Sequence, residues 1–280
     1  RRLNLTRLHF QPTGDHPRTH PALATFTRGM QCVWVYRLDG VRIEKRLHLF
    51  QDRNAVEIRY DVRAPGRRVR IQLRPLVALR GFHALRRRPG AAAPDAVFQS
   101  RQIGMGVVVV ADHRGLVITS DATSFRPDPA WWLGLHYERD ADRAQDHVED
   151  LYTPGEFLLD SQGLDDHTTA TVYATVDARP SDTPQQDIAR RSARLVSMAR
   201  AAVAGLPPPD TEAAEALDHL CAAADDFIVP RSGSASDPEG HPGRTILAGF
   251  PWFADWGRDA MICVPGLLID TGRLDDAHAV

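Results

Sequence analysis

Residues 248–261 read AGFPWFADWGRDAM, and the rest of the chain is organised around this stretch. Between Trp252 and Asp259 it holds three aromatic rings, two carboxylates and one arginine. Its proline and its second glycine favour a shaped loop for the aromatic part. The apolar pattern that follows predicts a helix whose first turn carries Arg258 and Asp259. We therefore expect a loop that presents aromatic and charged side chains where a helix begins.

This combination of side chains is typical of sugar-binding sites. A pyranose ring offers an apolar face on which indole and phenyl rings stack, and its hydroxyls pair with carboxylates and with the fixed donors of a guanidinium. Two structural alternatives stay open. The rings could form a core plug before an apolar helix, or an internal Asp–Arg ion pair could satisfy the charges. Charged groups among buried rings need such a partner or a ligand, because unpaired buried charge is expensive.

The composition restricts the partners that we expect. The chain has 280 residues, 43% hydrophobic and 25% charged, which suits one large or two ordinary globular domains. Its net charge of −2 favours neither nucleic acid nor an anionic membrane. No apolar run approaches the length of a membrane span, and no signal-peptide pattern is present. The three cysteines are odd in number, widely spaced and in apolar contexts, which predicts reduced core thiols and a cytoplasmic protein.

Residues 1–178 show the pattern of a β-rich domain. Short segments of β-branched and aromatic residues alternate partially with polar ones and are separated by turn signals, of which Asp39-Gly40 is a strong hairpin signal. The predicted strands are 32–36, 43–49, 55–62, 68–76, 106–111, 116–120, 131–138 and 168–176. Many short strands of this kind predict an antiparallel β-sandwich.

Two segments between the predicted strands depart from this pattern. Residues 149–157 combine acids, aromatics and a Pro-Gly turn without regular periodicity. We expect a structural turn that docks the sandwich on the following domain, with direct substrate contact as the alternative. Residues 86–90 contain an arginine run, which we expect to be a solvated loop.

The periodicity becomes helical after residue 178. Thr183 is predicted to cap a helix, with Pro184 at the first helical position and Gln186 completing a capping box. This helix ends near Ala204 and makes residues 179–209 a linker helix between two domains.

The third predicted region, residues 210–280, alternates helices and loops. Asp210 caps a helix, residues 230–243 predict a mobile loop, and the helix after the aromatic stretch runs to about Asp270. Pro265 should kink that helix or change its register. The apolar stripe of the first helix is Leu217, Leu220, Cys221, Ala224 and Ile228. The alternation of helices and loops over residues 210–280 predicts the opening of an all-α domain, consistent with an (α/α)6 barrel.

The aromatic stretch resembles the signature of prokaryotic-type glycogen debranching enzymes, the amylo-alpha-1,6-glucosidase family. The resemblance is carried by residues 245–247, 249–266 and 271–273, with further matches at 73–76, 82–83 and 149–157, and it is weaker before residue 70. Residues 256–259 also resemble the first sugar-contacting loop of glucoamylases, which share the same helical barrel. The resemblance implies a fragment, truncated at both ends, that holds an N-terminal β-sandwich and the first helices of an (α/α)6 catalytic barrel.

The family resemblance also implies an activity: inverting hydrolysis of alpha-1,6-linked glucose at branch points of glycogen or another branched alpha-glucan, without metal or cofactor. The residues implied to contact the sugar are Trp252, Phe253, Asp255, Trp256, Arg258 and Asp259. Inverting hydrolysis needs an acid and a base about 6.5 to 9.5 Å apart. If both Asp255 and Asp259 lay on one helix, they would stand one turn apart on one face and could not flank a scissile bond from opposite sides. The resemblance instead places the acid and the base beyond Val280 and leaves Asp259 as a catalytic candidate only.

Two other functions stay open. One is a glucoamylase-like alpha-glucosidase, which the barrel resemblance also allows. The other is a glucan-binding module without catalysis, because a sandwich with a partial aromatic site can bind sugar without turning it over. We expect this fragment to be inactive by itself.

Overall fold

The computed structural model describes residues 4–6, 8–10, 22–51, 53–81, 84–88, 90, 98–122, 124–161, 166–177, 181–231, 243–249 and 253–280. The chain forms two compact units, Arg1–Ser181 and Asp182–Val280. None of the described helices combines the length and the apolar content that a membrane-spanning helix requires. All three cysteines are free, as predicted, and Cys221 is buried.

The first unit is built from antiparallel strands. They are β1 (Leu23–Arg28), β2 (Cys32–Leu38), β3 (Val41–Leu49), β4 (Ala55–Arg63), β5 (Arg70–Leu73), β6 (Gln99–Ile103), β7 (Gly106–Ala111), β8 (Arg114–Ser120), β9 (Ser124–His136), β10 (Val148–Asp160) and β11 (His167–Thr175), with the short helix α1 (Glu138–Ala141) after β9. Each of the predicted strands overlaps one of these. Strands β1 and β6 were not predicted, because their mostly exposed residues carry little apolar alternation.

The strands of the first unit form two sheets that pack face to face. One sheet has eight strands in the order β1-β2-β3-β4-β11-β8-β7-β6, and the other has three in the order β5-β10-β9. One core cluster takes Val62 and Val109 from the large sheet, and Phe157 and Leu159 from the small one. The predicted antiparallel β-sandwich is therefore confirmed.

The prediction of a turn over residues 149–157 is wrong, because these residues lie within β10, the central strand of the small sheet. Seven consecutive residues, 151–157, are buried, so the polar face that would reveal a period of two is missing. Pro154 is tolerated because the pairing register with β9 shifts between Thr153 and Gly155. Gly155 has φ +148, and a Cβ there would lie 2.3 Å from the Arg126 carbonyl oxygen.

The carboxylates of β10 are held by partners on neighbouring segments. Glu149 is fully buried and accepts hydrogen bonds from the Arg80 guanidinium, from the Tyr137 hydroxyl at 2.7 Å and from the Arg86 backbone N–H at 2.9 Å. Burial alone would raise the pKa of Glu149, but these donors together hold that pKa below its ordinary range. The acids of this segment are therefore structural.

The arginine run is only partly the solvated loop that was expected. Arg87 and Arg88 are exposed, but Arg86 is half-buried. The Arg86 guanidinium donates to the carbonyl oxygens of Ala78 and Leu79 at 2.9 and 2.6 Å. Arg86 thus fixes the chain before the run.

The second unit mixes helices with a small sheet. Its elements are α2 (Pro184–Ala202), α3 (Thr211–Phe227), β12 (Ile228–Arg231), β13 (Gly243–Gly249), β14 (Phe253–Asp255), α4 (Gly257–Val264), a π-helical turn (Pro265–Ile269) and α5 (Leu274–Ala279). The capping box of Thr183 and Gln186 and the cap of Asp210 are confirmed. In the stripe of α3, Leu220 is 67% exposed and does not belong to the buried face.

The prediction that residues 210–280 are all-α is wrong, because β12, β13 and β14 form an antiparallel sheet between α3 and α4. Ile228 fitted the helical stripe of α3 but begins β12. The predicted loop of residues 230–243 is wrong at its ends, because Pro230 and Arg231 belong to β12 and Gly243 belongs to β13. The residues between them, 232–242, lie outside the described residues. The (α/α)6 barrel remains a prediction.

The predicted change of register at Pro265 is confirmed. The helix passes there from α to π geometry, and the backbone N–H of Asp270 donates to the carbonyl oxygen of Pro265 at 2.9 Å, five residues back.

One buried carboxylate connects the helices of the second unit. Asp225 in α3 is 2% exposed and accepts hydrogen bonds from three arginines. Arg191 and Arg194 of α2 donate to the carboxylate at 3.1 and 2.8 Å, and Arg273, the residue before α5, donates to it at 3.0 Å. The charges of three arginines thus offset the desolvation of one carboxylate.

Candidate functional site

The aromatic stretch forms the end of a hairpin rather than an isolated loop. Strands β13 and β14 pair with Leu247 opposite Asp255 and Gly249 opposite Phe253. Because residues two apart on a strand point to one face, Phe253 and Asp255 share a face of the sheet. Trp252 and the other residues of the connection, 250–252, lie outside the described residues.

The two described rings of the motif lie at the surface. Phe253 is 52% exposed and Trp256 is 61% exposed, so neither is a core plug. The Phe253 ring lies over Gly249, where an added Cβ would come within 2.8 Å of Phe253 Cδ2. A glycine at this position therefore lets the ring approach the backbone of the hairpin closely, while about half of the residue stays open to a ligand.

Asp255 is held by two donors from the neighbouring strands. Thr245 Oγ1 donates to Asp255 Oδ2 at 2.9 Å, and Arg231 Nη1 donates to the same oxygen at 2.5 Å. Thr245 is buried, whereas the Arg231 side chain is 64% exposed. An internal Asp–Arg ion pair does exist here, but its arginine comes from β12 and not from the motif.

Arg258 and Asp259 occupy the first turn of α4, as the sequence predicted, and both are exposed. Among the described residues, neither forms an ion pair within 4 Å. Asp259 is favoured near the positive end of the helix dipole, so this position suits a carboxylate that has no fixed partner. These two side chains are open to a ligand in a way that Asp255 is not.

The two carboxylates of the motif do not share a helix. Asp255 belongs to β14 and Asp259 to α4, with Trp256 between them as the N-terminal cap residue of α4. The geometric objection that two acids on one helix face cannot flank a scissile bond therefore does not apply here. Asp259 keeps its standing as a catalytic candidate.

A small apolar core supports the site from below. Ile228 and Ile246 on the sheet pack with Ala260 of α4 and Leu268 of the π-helical turn. The strands and the helix that carry the motif are therefore fixed to one another. Such support is what a binding site needs to hold side chains in a defined geometry.

Sequence reasoning missed Arg231 and Thr245 as members of this site. Both reach Asp255 only because β12, β13 and β14 lie side by side, with Arg231 24 residues before Asp255 in the chain. A prediction of the small sheet and its register would have identified them. Within the described ranges, no group of three or more His, Cys, Asp or Glu side chains is arranged to hold a metal ion.

Comparisons with known protein families match both ends of the chain. Residues 1–168 match the family described as glycogen debranching enzyme N terminal, and residues 222–280 match amylo-alpha-1,6-glucosidase. No curated protein sequence matches the chain.

Solved structures give weaker likenesses. A polysaccharide lyase shares 13% identity over 60% of this chain and 24% of its own, with a TM-score of 0.32. A bacterial glucoamylase complexed with acarbose shares 8% identity over 71% of this chain and 27% of its own, with a TM-score of 0.29. The chain thus spans about a quarter of either structure, and at these TM-scores neither likeness supports an assignment of fold or function. The two family matches, one at each end of the sequence, show that the chain belongs to the glycogen debranching enzyme family.

Proposed function

We propose that this chain is part of an enzyme that hydrolyses alpha-1,6-linked glucose at the branch points of glycogen by inversion. In this proposal the hairpin motif binds the glucose that is released. Trp252, Phe253 and Trp256 stack against or wall the sugar ring. Arg258, Asp259 and Asp255 hold its hydroxyls. The acid and the base are carried by loops beyond Val280, and the reaction uses no metal or cofactor.

The observation that carries the proposal is the combination of exposed rings with charged groups that form no ion pair to any described residue. Phe253 and Trp256 are more than half exposed, and Arg258 and Asp259 stand beside them in the first turn of α4. An amphipathic sugar matches this surface, because its apolar face covers the rings while its hydroxyls pair with the charges. The family membership supplies the class of sugar, an alpha-glucan.

The binding role is favoured over a catalytic role for Asp255. Its Oδ2 already accepts hydrogen bonds from Thr245 and Arg231, so it is fixed rather than free to move a proton. A fixed carboxylate with a second oxygen available is suited to orient a sugar hydroxyl.

Two further functions fit the same surface. A glucoamylase-like alpha-glucosidase would bind the same glucose but accept alpha-1,4-linked ends. A glucan-binding module would use the surface without catalysis. The chain itself tests the shared binding step, and an enzyme that carries the proposed acid and base tests the reaction.

The experiment is glucose release from a phosphorylase limit dextrin and, separately, from a linear maltooligosaccharide. We expect glucose from the limit dextrin only, and a fall of about tenfold in kcat/KM for Trp256→Ala. Val196→Ala, which removes an exposed apolar side chain from α2, is the matched control and should retain full activity. Release from the linear chain would favour the glucoamylase reading. Glycogen binding without any release would leave a binding module.

A further inference from the structure

The inner face of the large sheet extends beyond the sandwich core. Eight strands face only three, and the core cluster includes Ile43 of β3 and Val62 of β4 but no residue of β1. Further along these strands, one residue from each of β1 to β4 stands in direct register with the next. We call this set the Lys45 row: Phe26, Trp34, Lys45 and Tyr60. Because Ile43 and Lys45 lie two apart on β3, the row is on the same face as the core.

The row passes from solvent to core. Phe26 is 50% exposed, and its ring centroid lies 5.1 Å from that of Trp34 at an interplanar angle of 32°. Lys45 Nζ lies 4.9 Å from the centroid of the Trp34 ring, which it covers. Tyr60, at the other end, packs against the core cluster. The row therefore offers one open ring at the edge of the sheet and an amine held over the neighbouring ring of Trp34.

Lys45 is the only lysine among 34 basic residues. No carboxylate of the described residues lies within 4 Å of its Nζ. Burial lowers the pKa of its amine. A lysine head group is compact and turns its donors freely, whereas a guanidinium is planar and keeps its charge in almost any setting. The one position in this chain that uses lysine is thus a half-buried position over an aromatic ring, where no described carboxylate pairs with the amine.

We propose that the Lys45 row is a second sugar-binding site, which takes a neutral alpha-glucan segment. The apolar face of a sugar ring stacks on Phe26, Trp34 positions the amine through a cation–π contact, and Lys45 donates to a sugar hydroxyl. The row takes its class of ligand from the proposed function, but it lies in the first unit and uses none of the hairpin residues.

A neutral ligand fits this row better than an anionic one. The faces of aromatic rings carry partial negative charge and repel anions, so the rings around Lys45 disfavour a phosphate or carboxylate. Burial raises the pKa of Tyr60 to about 12, with a contribution from Tyr36, so the phenol keeps its proton. Hydroxyl groups accept from the amine without bringing charge onto the ring faces.

The lone lysine makes the proposal directly testable. In the 280-residue chain, an amine-acylating reagent modifies only Lys45 and the α-amino group, which peptide mass spectrometry separates. We expect a saturating linear maltooligosaccharide to slow acylation of Lys45 about tenfold, and glucose 6-phosphate at equal concentration to leave it unchanged. Acylation that proceeds at one rate with and without the oligosaccharide would overturn the proposal, as would protection by the sugar phosphate alone.

Variants separate this site from the hairpin. Phe26→Ala should remove most of the protection of Lys45 and weaken glycogen binding about tenfold, whereas Leu133→Ala, which removes another exposed apolar side chain of the same unit, should leave both unchanged. Phe253→Ala in the hairpin should leave Lys45 protected. Protection that survives Phe26→Ala but disappears with Phe253→Ala would contradict the site. Protection of Lys45 in an enzyme that releases no glucose would sink the proposed function and leave this site standing.

Discussion

Two segments of this chain use similar residue types and reach opposite results. Residues 149–157 and 251–259 both combine acids, aromatic rings, proline and glycine. In β10 the rings of Tyr152 and Phe157 are buried, and Glu149 is saturated with donors. In the hairpin the described rings are exposed. Residue type alone therefore does not separate a structural segment from a binding segment.

The difference lies in what neighbouring elements supply. β10 is the central strand of its sheet, with β5 on one side and β9 on the other, so donors from both neighbours reach its acids. β14 is an edge strand that pairs with β13 alone and is followed at once by α4. Its one acid, Asp255, finds partners on β12 and β13, whereas Arg258 and Asp259, which follow in α4, form no ion pair among the described residues. The acid that remains available is therefore the one in the helix, outside the sheet.

The largest effect is expected from Gly155→Ala in β10. A Cβ there would lie 2.3 Å from the Arg126 carbonyl oxygen, and φ is +148, so both contact and backbone oppose the side chain. We expect a loss of more than about 4 kcal/mol in the free energy of unfolding of the first unit, measured by urea titration with hydrogen exchange at β9 and β10. Gly115→Ala, in open space on β8, is the control. Equal stability of the two variants would contradict the close approach of Gly155 to the Arg126 backbone.

The next effect is expected from Glu149→Gln. The substitution removes the charge that Arg80 and Tyr137 face, and we expect a loss of about 3 kcal/mol at neutral pH. The pKa of Glu149 is lowered in the folded chain, so its stabilisation is present above the ordinary glutamate pKa and is lost as pH falls through the folded pKa. The free energy of unfolding, measured by urea titration at a series of acidic pH values, should therefore fall more steeply with falling pH for the native chain than for the variant. Parallel curves would mean that another carboxyl is responsible.

Strands that alternate apolar and polar residues were readily predicted from sequence, whereas β10, which is buried on both faces, and the very short β12 were not. β3 and β4 alternate apolar and polar residues, so their extents were nearly correct. β10 hides both faces, and β12 has only four residues, of which Ile228 also fits a helical stripe. Alternation of apolar and polar residues identifies a strand that is buried on one face only. The signal disappears when both faces of a strand are buried or when the strand is very short.

The local structure of the candidate site was predictable from sequence, but its tertiary contacts were not. Arg258 and Asp259 were expected in the first turn of a helix because a loop-to-helix boundary can be read from residue order. Arg231 could not be assigned to Asp255 from sequence, since the contact depends on the register of three strands. Residue types define which ligand suits a site, and tertiary pairing defines which side chains are already occupied.

A smaller effect is expected from Asp255→Asn in the hairpin. The substitution keeps the shape but weakens the bonds from Arg231 and Thr245, and because Arg231 is mostly exposed we expect a loss of only about 1 kcal/mol. Native-state hydrogen exchange at β13 measures this local loss. Arg231→Ala should produce a similar change, and the double variant should add nothing further. Fully additive effects would show that the pair does not act together.

The smallest change in stability is expected from Asp259→Asn. This side chain is exposed and, among the described residues, forms no ion pair, so the urea midpoint of the second unit should not move measurably. Glycogen affinity should nevertheless fall about tenfold, because the proposed hydroxyl contact loses its charge. Asp275→Asn, in the first turn of α5, is the matched control and should change neither quantity. A drop in stability without a drop in affinity would assign Asp259 to the fold and would place the hairpin in the same class as β10.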